Sequence, residues 1–99
     1  MTKILITGYF DPAASESNIA AFTSPDKPKY PDYVKKVESL VAGTGDFKTY
    51  TIYEVPNDKI YESLQYLNRR QIFYASKMSG YDYNIEIVGP IEDAIATLK

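Results

Sequence analysis

The chain has 99 residues, a net charge of −2, and 44 % hydrophobic and 24 % charged residues, a composition typical of a globular protein with one core. It contains no Cys and no His, which excludes disulfides, thiolate nucleophiles, histidine bases and the common zinc sites. The negative charge argues against a nucleic-acid partner, because binding to phosphates requires a basic surface. Because no apolar run has the length of a signal peptide or membrane span, we predict one cytoplasmic domain over residues 1–99 with no membrane partner.

The first predicted elements are a strand and a short helix. Residues 3–9 are rich in β-branched side chains and end near Gly8, which is typical of a strand. Asp11 and Pro12 then form a helix start, with Asp as the cap and Pro at the first helical position. The helix covers residues 13–22 and places Ile19 and Phe22 on one face. Residues 25–31 contain three prolines and form a surface connection.

Residues 33–42 fit two structures. Val34, Val37 and Val41 have helical spacing, and Gly43 could end such a helix. However, residues 43–46 are also typical of a hairpin turn, and residues 47–55 give the strongest strand pattern in the chain. Because a long strand needs a neighbour, we favour a strand over residues 33–42.

The second half of the chain predicts a long helix, a strand and a tail helix. The long helix covers residues 56–78 and is stopped by Gly80. The strand at residues 81–88 alternates between apolar and polar side chains, and residues 90–98 form the tail helix. The inner stripe of the long helix is predicted to contain Ile60, Leu64, Leu67, Gln71, Tyr74 or Ala75, and Met78.

The predicted order is therefore β-α-β-β-α-β plus a C-terminal helix. This is the ferredoxin-like α+β sandwich, a four-stranded antiparallel sheet with both helices on one face. A chain this short has little left to cover the other face, so we predict a homodimer formed through that open face.

Four segments of the chain carry a resemblance to a known family: residues 51–55, 67–74, 80–87 and 90–95. In these segments the chain resembles a poorly characterised family of small, largely archaeal proteins in the dimeric α+β-barrel superfamily. The resemblance runs from Tyr33 to the end of the chain, whereas residues 10–32 depart from the family pattern. It implies the fold, a strand at residues 33–42 and dimerisation by two sheets packed face to face. It implies no catalytic residues, and the superfamily includes cofactor-free monooxygenases, isomerases, haem-degrading enzymes and ligand-sensing domains.

The ten tyrosines suggest either a sheet face sealed against a partner or an aromatic pocket between sheet and partner. Strand alternation predicts which side chains of the first and last strands would face that pocket. Either face of the strand at residues 47–55 could be open, and we favour the face with Glu54 because a glutamate is poorly suited to the core. The predicted ligand-binding residues on this open face are Thr7, Tyr9, Tyr50, Ile52, Glu54, Asn84 and Glu86.

Three functions are compatible with such a face. The first is binding of a small apolar or aromatic molecule between the sheet and the partner subunit. The second is a cofactor-independent enzyme, of monooxygenase or isomerase type, in which burial makes Glu54 or Glu86 a general base. The third is a dimeric structural or regulatory protein without a pocket. No cofactor or metal is predicted, and Arg69–Arg70 form either a solvated helix face or an anion site.

Overall fold

The computed structural model describes residues 1–44 and 46–90, together with residues 92 and 95. The strands are β1 (Thr2–Phe10), β2 (Lys35–Thr44), β3 (Asp46–Val55) and β4 (Asp82–Val88), and the helices are α1 (Ser15–Thr23) and α2 (Ile60–Lys77). Short 3-10 turns at Pro12–Ala14 and Asn57–Lys59 precede the two helices. The tail helix predicted for residues 90–98 falls almost wholly outside the described residues.

The four strands form one antiparallel sheet in the order β2-β3-β1-β4. The chain is therefore an α+β protein, and its topology is compatible with the ferredoxin-like arrangement. The strand interpretation of residues 33–42 is confirmed, with bounds two residues later. Its helical spacing has a physical cause: the pairing of β2 with β3 shifts between Lys36 and Glu38, and an extra residue at a bulge breaks the period of two.

The pairing register assigns each strand residue to a face, because residues directly opposite each other in a sheet point the same way. Ile4 and Ile6 are buried on the face that carries the helices. On the opposite face, Leu5 of β1 lies between Ile52 of β3 and Glu86 of β4. We call these the helix side and the open face.

The core lies between the helix side and α2. Its main cluster contains Ile4 and Val55 from the sheet and Leu67 from α2, all with 0 % exposure. A second cluster joins Ala21 of α1 to Tyr74 and Met78 at the end of α2. Burial of these apolar groups supplies most of the free energy that stabilises the fold.

The predicted Asp11 cap is present, but a 3-10 turn at Pro12–Ala14 precedes the α-helix, which begins at Ser15. Ile19 and Phe22, which were predicted to share one face, differ in burial. Asp11 Oδ1 accepts a hydrogen bond from the Ala13 N–H at 2.9 Å, as expected of a capping residue. Ile19 is 64 % exposed, whereas Asn18 and Ala21 are buried. The Asn18 amide donates a hydrogen bond to the Asp11 carbonyl at 2.9 Å. This bond fixes the orientation of α1, so that Ile19 faces the solvent.

The inner stripe of α2 is more polar than the apolar pattern predicted. Its buried residues are Ser63, Leu67, Gln71 and Tyr74. Ala75, which was an alternative to Tyr74, is exposed. The first half of α2 packs against the apolar core. The second half, from Arg70 onward, lies beside polar side chains of the sheet.

Candidate functional site

The register brings the predicted open-face residues together. Thr7 pairs with Tyr50 on one side and Asn84 on the other, and Tyr9 lies two residues further along β1. All seven predicted residues therefore lie on the open face of the sheet. Whether they contact a ligand stays a prediction.

Several of these open-face side chains already have partners within the subunit. Thr7 is 6 % exposed. The Lys48 ammonium lies 5.2 Å from the centre of the Tyr9 ring and 5.9 Å from that of Tyr50, so one cation engages both aromatic faces. Lys48 therefore packs over two of the predicted ligand-binding side chains.

The carboxylates considered as general bases do not have the burial that this role needs. Glu86 is exposed and Glu54 is half-buried in the single subunit. Glu54 also lies opposite Lys3 on β1 and Lys35 on β2. The described geometry of one subunit therefore gives neither glutamate the apolar surroundings expected of a neutral catalytic acid or a base activated by burial.

A cavity of about 260 Å³ lies on the helix side instead, between the outer half of the sheet and α2. β2 and β3 form its floor, α2 forms one wall, and the connection between α1 and β2 contributes Lys27. The cavity exists because the helices do not extend over the edge of the sheet. The helix-side residues of β2, among them Lys36 and Ser39, are exposed.

Three cations line this cavity: Lys27, Lys36 and Arg70. No carboxylate is among its described lining residues. The Lys27 ammonium donates to the Phe22 carbonyl at 2.8 Å. Burial lowers the pKa of Lys27, and the positive charges of Arg70 and Lys36 lower it further. We call this feature the basic cavity, because three cations and no carboxylate are among its described lining residues.

Arg70 is held by two aromatic residues. Its guanidinium lies 4.7 Å from the centre of the Tyr30 ring, and its Nε donates to the Tyr74 hydroxyl at 3.1 Å. The two contacts fix the plane of the guanidinium, which is the condition for directed binding of an oxygen pair. The neighbouring Arg69 is exposed and lies against Tyr66, 5.5 Å from its ring centre. The arginine pair is therefore split between the cavity and the surface.

Hydroxyl and amide groups form much of the remaining wall. Tyr81 donates to the side-chain oxygen of the buried Gln71 at 2.5 Å. Burial raises the pKa of Tyr81, and the nearby Tyr74 adds to the increase. Burial likewise raises the pKa of Tyr53, so both phenols stay protonated and can donate hydrogen bonds at neutral pH. Other hydroxyl groups on the wall belong to Ser39, Thr49, Thr51 and Tyr74.

An apolar section completes the cavity. Ile6 contributes from the floor and Phe22 from α1. The Phe22 ring packs edge to face on Tyr74 at 4.9 Å between centres, and Tyr74 packs in the same way on Tyr81 at 6.0 Å. A pocket with an aromatic wall and a few convergent polar groups is the usual form of a small-molecule site.

The cavity lies on the opposite face of the sheet from the predicted ligand-binding residues. Tyr53 and Tyr83 lie on the helix side, and of the strand tyrosines Tyr9 and Tyr50 lie on the open face. The cavity residues Lys27, Lys36, Thr49 and Thr51 were missed. One signal was available: Thr49 and Thr51 alternate with Tyr50 and Ile52, so one face of β3 had to be polar.

Comparison with known proteins adds no assignment. No protein-family model matches the chain, and no curated protein matches it. The resemblance to the archaeal family stays a prediction. Within the described part of the chain, no group of three or more Asp or Glu side chains could hold a metal ion, and no helix there has the length and apolarity to cross a membrane.

Proposed function

We propose that this protein binds a small organic molecule in the basic cavity on the helix side of the sheet. The observation that supports it is a cavity of about 260 Å³ whose wall combines aromatic rings with hydroxyl, amide and cationic groups. This volume lies just below the usual range for ligand pockets, which starts at about 300 Å³. The proposal keeps the expected class of function, small-molecule binding, and moves the ligand to the other face of the sheet.

The polar residues of the cavity support binding because folding does not need them. Gln71 is 4 % exposed on the inner stripe of α2, where an apolar residue of similar size would pack without a hydrogen-bond partner. Natural sequences depart from the pattern of their fold mainly where function requires it. The buried Gln71 is such a departure, and it lies on the cavity wall.

The fold adds a second, weaker support. The order β-α-β-β-α-β and the strand order β2-β3-β1-β4 correspond to a ferredoxin-like sandwich. In that arrangement both helices cover one face, and the space between their ends and the sheet edge is the concave part of the molecule. Fold alone selects no ligand and no reaction.

A pair of tryptophan variants tests the location of the ligand. Ser39 and Leu40 are neighbours on the exposed edge strand β2, but Ser39 lines the cavity while Leu40 faces the open side. Ser39→Trp should block the cavity, and Leu40→Trp should leave it free. The probes are benzyl alcohol, phenyl phosphate and benzylamine, which share a ring and differ in charge. Their binding is followed by ligand-observed NMR.

We expect at least one probe to bind the wild type and Leu40→Trp, and to lose binding in Ser39→Trp. Retained binding in Ser39→Trp together with loss in Leu40→Trp would place the ligand on the open face and overturn the proposal. Absence of binding by all three probes to the wild type would also count against it.

We further propose that the open face packs against a second copy of the chain. On the two central strands this face carries Leu5 and Ile52, and Leu40 adds an apolar side chain from the edge strand β2. Charged side chains surround them, with Glu38 and Glu86 on the edge strands and Lys3 and Glu54 towards one end. An apolar centre with a polar rim is the usual composition of an interface. Four strands about 4.8 Å apart give roughly 600 Å² per subunit, close to the roughly 800 Å² of a standard interface.

Light scattering after gel filtration tests this dimer. We expect twice the 11.2 kDa chain mass for the wild type, and the single chain mass for Ile52→Lys. Ile72→Lys is the control, because Ile72 is 53 % exposed on the outer side of α2 and should leave the dimer intact. A wild-type monomer at high micromolar concentration would overturn the dimer without affecting the cavity.

A further inference from the structure

The positive groups of the basic cavity come from three separate segments of the chain. Lys27 belongs to the connection after α1, Lys36 to β2 and Arg70 to α2. They are distant in sequence, so their meeting is a property of the folded chain and not of a local basic run. A protein with a net charge of −2 has enough acids to neutralise such a cluster, yet none lies on the described wall.

The mutual repulsion of these cations lowers the pKa of Lys27, in addition to the effect of burial. The two charged side chains that act on Lys27 are Arg70 and Lys36, and both oppose its protonation. Like charges held together cost free energy unless an opposite charge accompanies them. An anionic group in the cavity would remove this cost, whereas a cation would increase it and a neutral molecule would leave it unchanged.

The donor groups have the geometry for an oxyanion. The Tyr74 hydroxyl accepts a hydrogen bond from the Nε–H of Arg70, and the Tyr30 ring lies against the guanidinium face. These two contacts leave the two terminal nitrogens of Arg70 for a ligand. A guanidinium end binds two oxygens of a phosphate or carboxylate with parallel hydrogen bonds. The Lys27 and Lys36 ammonium groups supply further donors without a fixed direction.

We infer that the ligand carries an oxyanion group, a phosphate monoester or a carboxylate, which Arg70 binds with Lys27 and Lys36, while its apolar body lies against Phe22 and Tyr81. This inference rests on the proposed function, because it names the chemical class of the molecule in the same cavity. A phosphate and a carboxylate present the same oxygen pair to the guanidinium, so the chemistry they share is what the site recognises.

Calorimetric titration of the wild type with four probes tests the inference: phenyl phosphate, benzoate, benzyl alcohol and benzylamine. We expect one or both anions to bind at least tenfold more tightly than benzyl alcohol, and benzylamine to show no binding. Higher salt should lower the affinity for the two anions, because ions screen partly exposed charges. The ratio of phenyl phosphate to benzoate affinity tells which of the two oxyanions is preferred.

Arg70→Gln and Arg69→Gln form a matched pair of variants. Both remove one positive charge from adjacent positions of α2, but only Arg70 lines the cavity. We expect anion affinity to fall at least tenfold in Arg70→Gln and to change less than twofold in Arg69→Gln. Because Arg70 also contacts Tyr74, Lys36→Gln on the exposed strand β2 serves as a second test with little risk to folding, and there we expect a loss of about threefold.

The outcomes separate the inference from the proposed function. Equal affinity for benzyl alcohol and the anions, abolished by Ser39→Trp but unchanged by Arg70→Gln, would overturn the oxyanion inference and leave the cavity as the binding site. Anion binding that Arg69→Gln and Arg70→Gln weaken equally would reflect surface charge and would also overturn it. Absence of binding by all four probes would contradict both proposals.

Discussion

The helix side of the sheet contains an apolar region and a polar region, and α2 passes from the first to the second within one turn. Around Leu67, at 0 % exposure, the helix packs against the apolar side chains of Ile4 and Val55. Four residues later, Gln71 meets the Tyr81 hydroxyl, and the adjacent Arg70 faces a cavity with Lys27 and Lys36. One helix face thus serves stability in the first region and presents unneutralised charge in the second.

The difference has a structural cause at the edge of the sheet. In the apolar region, β1 and β3 lie directly beneath the helix and are fully covered. In the cavity, β2 extends beyond the helices, so Lys36 and Ser39 stay exposed. Substitutions in the first region should therefore act mainly on the free energy of unfolding, and substitutions in the second mainly on ligand affinity.

The largest expected effect is truncation of Leu67. Leu67→Ala leaves a cavity in the closely packed region and should lower the free energy of unfolding by about 2–5 kcal/mol. Ile72→Ala, on the 53 % exposed outer face of the same helix, should cost less than about 1 kcal/mol. Urea denaturation followed by circular dichroism measures both. Equal losses would show that the region around Leu67 is not the main core.

The next effect concerns Gly8, where the two regions meet. A Cβ at this position would lie 2.7 Å from Thr49 Oγ1 and 2.9 Å from the Tyr81 hydroxyl. Both groups line the cavity, so Gly8→Ala should displace them and lower the free energy of unfolding by about 1–3 kcal/mol. Probe binding at a temperature where the variant is folded should weaken as well. Unchanged stability and binding would mean that the cavity wall yields freely.

Alkaline pH should destabilise the protein through two buried phenols. Burial raises the pKa of Tyr53 and of Tyr81 in the folded state. Above about pH 10, the ordinary pKa of tyrosine, the unfolded chain loses these protons while the folded chain keeps them. The folded state then binds more protons, so stability is complete below pH 10 and falls as the pH rises further.

The corresponding measurement is urea denaturation at pH 8, 9.5 and 11 for the wild type and for Tyr53→Phe/Tyr81→Phe. The double variant should lose less stability between pH 9.5 and 11 than the wild type does. An identical loss in both proteins would assign the alkaline transition to other groups.

The smallest expected effect is at Ser63, the first buried residue of α2. Its hydroxyl is buried and has no hydrogen-bond partner in the described chain. Ser63→Ala removes that unpaired group and adds the better helix former, so it should raise stability by up to about 1 kcal/mol. Ser76→Ala is the control, because Ser76 is exposed and donates to the Phe73 carbonyl at 2.6 Å. A loss of stability at Ser63 would reveal a partner for its hydroxyl.

Much of the fold could be predicted because its patterns are local. The Asp11 cap, the alternation of β4 and the stripe of α2 each depend on residues close in sequence. The cap was confirmed, and the stripe was confirmed at Leu67, Gln71 and Tyr74. Residues 33–42 were harder, because the bulge near Val37 hides the strand period. Ile19 was misplaced because α1 is oriented by Asn18, whose tie to Asp11 leaves no trace in an apolar pattern.

The site could be predicted in part. Alternation assigned the open-face residues to the correct face, but it could not reveal a cavity, since Lys27 and Lys36 meet Arg70 only after folding. Arg69–Arg70 was recognised as a possible anion site, yet a sequence cannot say which arginine turns inward. The rotation of α2 about its axis, which buries Gln71, determines which of the two arginines faces the cavity.

The central claim is that a ligand binds on the helix side, and intermolecular NOEs test it most directly. Ring protons of bound phenyl phosphate should give NOEs to the methyl groups of Ile6, which lines the cavity. They should give none to the methyl groups of Leu5 or Ile52, which lie on the open face. NOEs to Leu5 and Ile52 without any to Ile6 would contradict the claim and return the site to the open face.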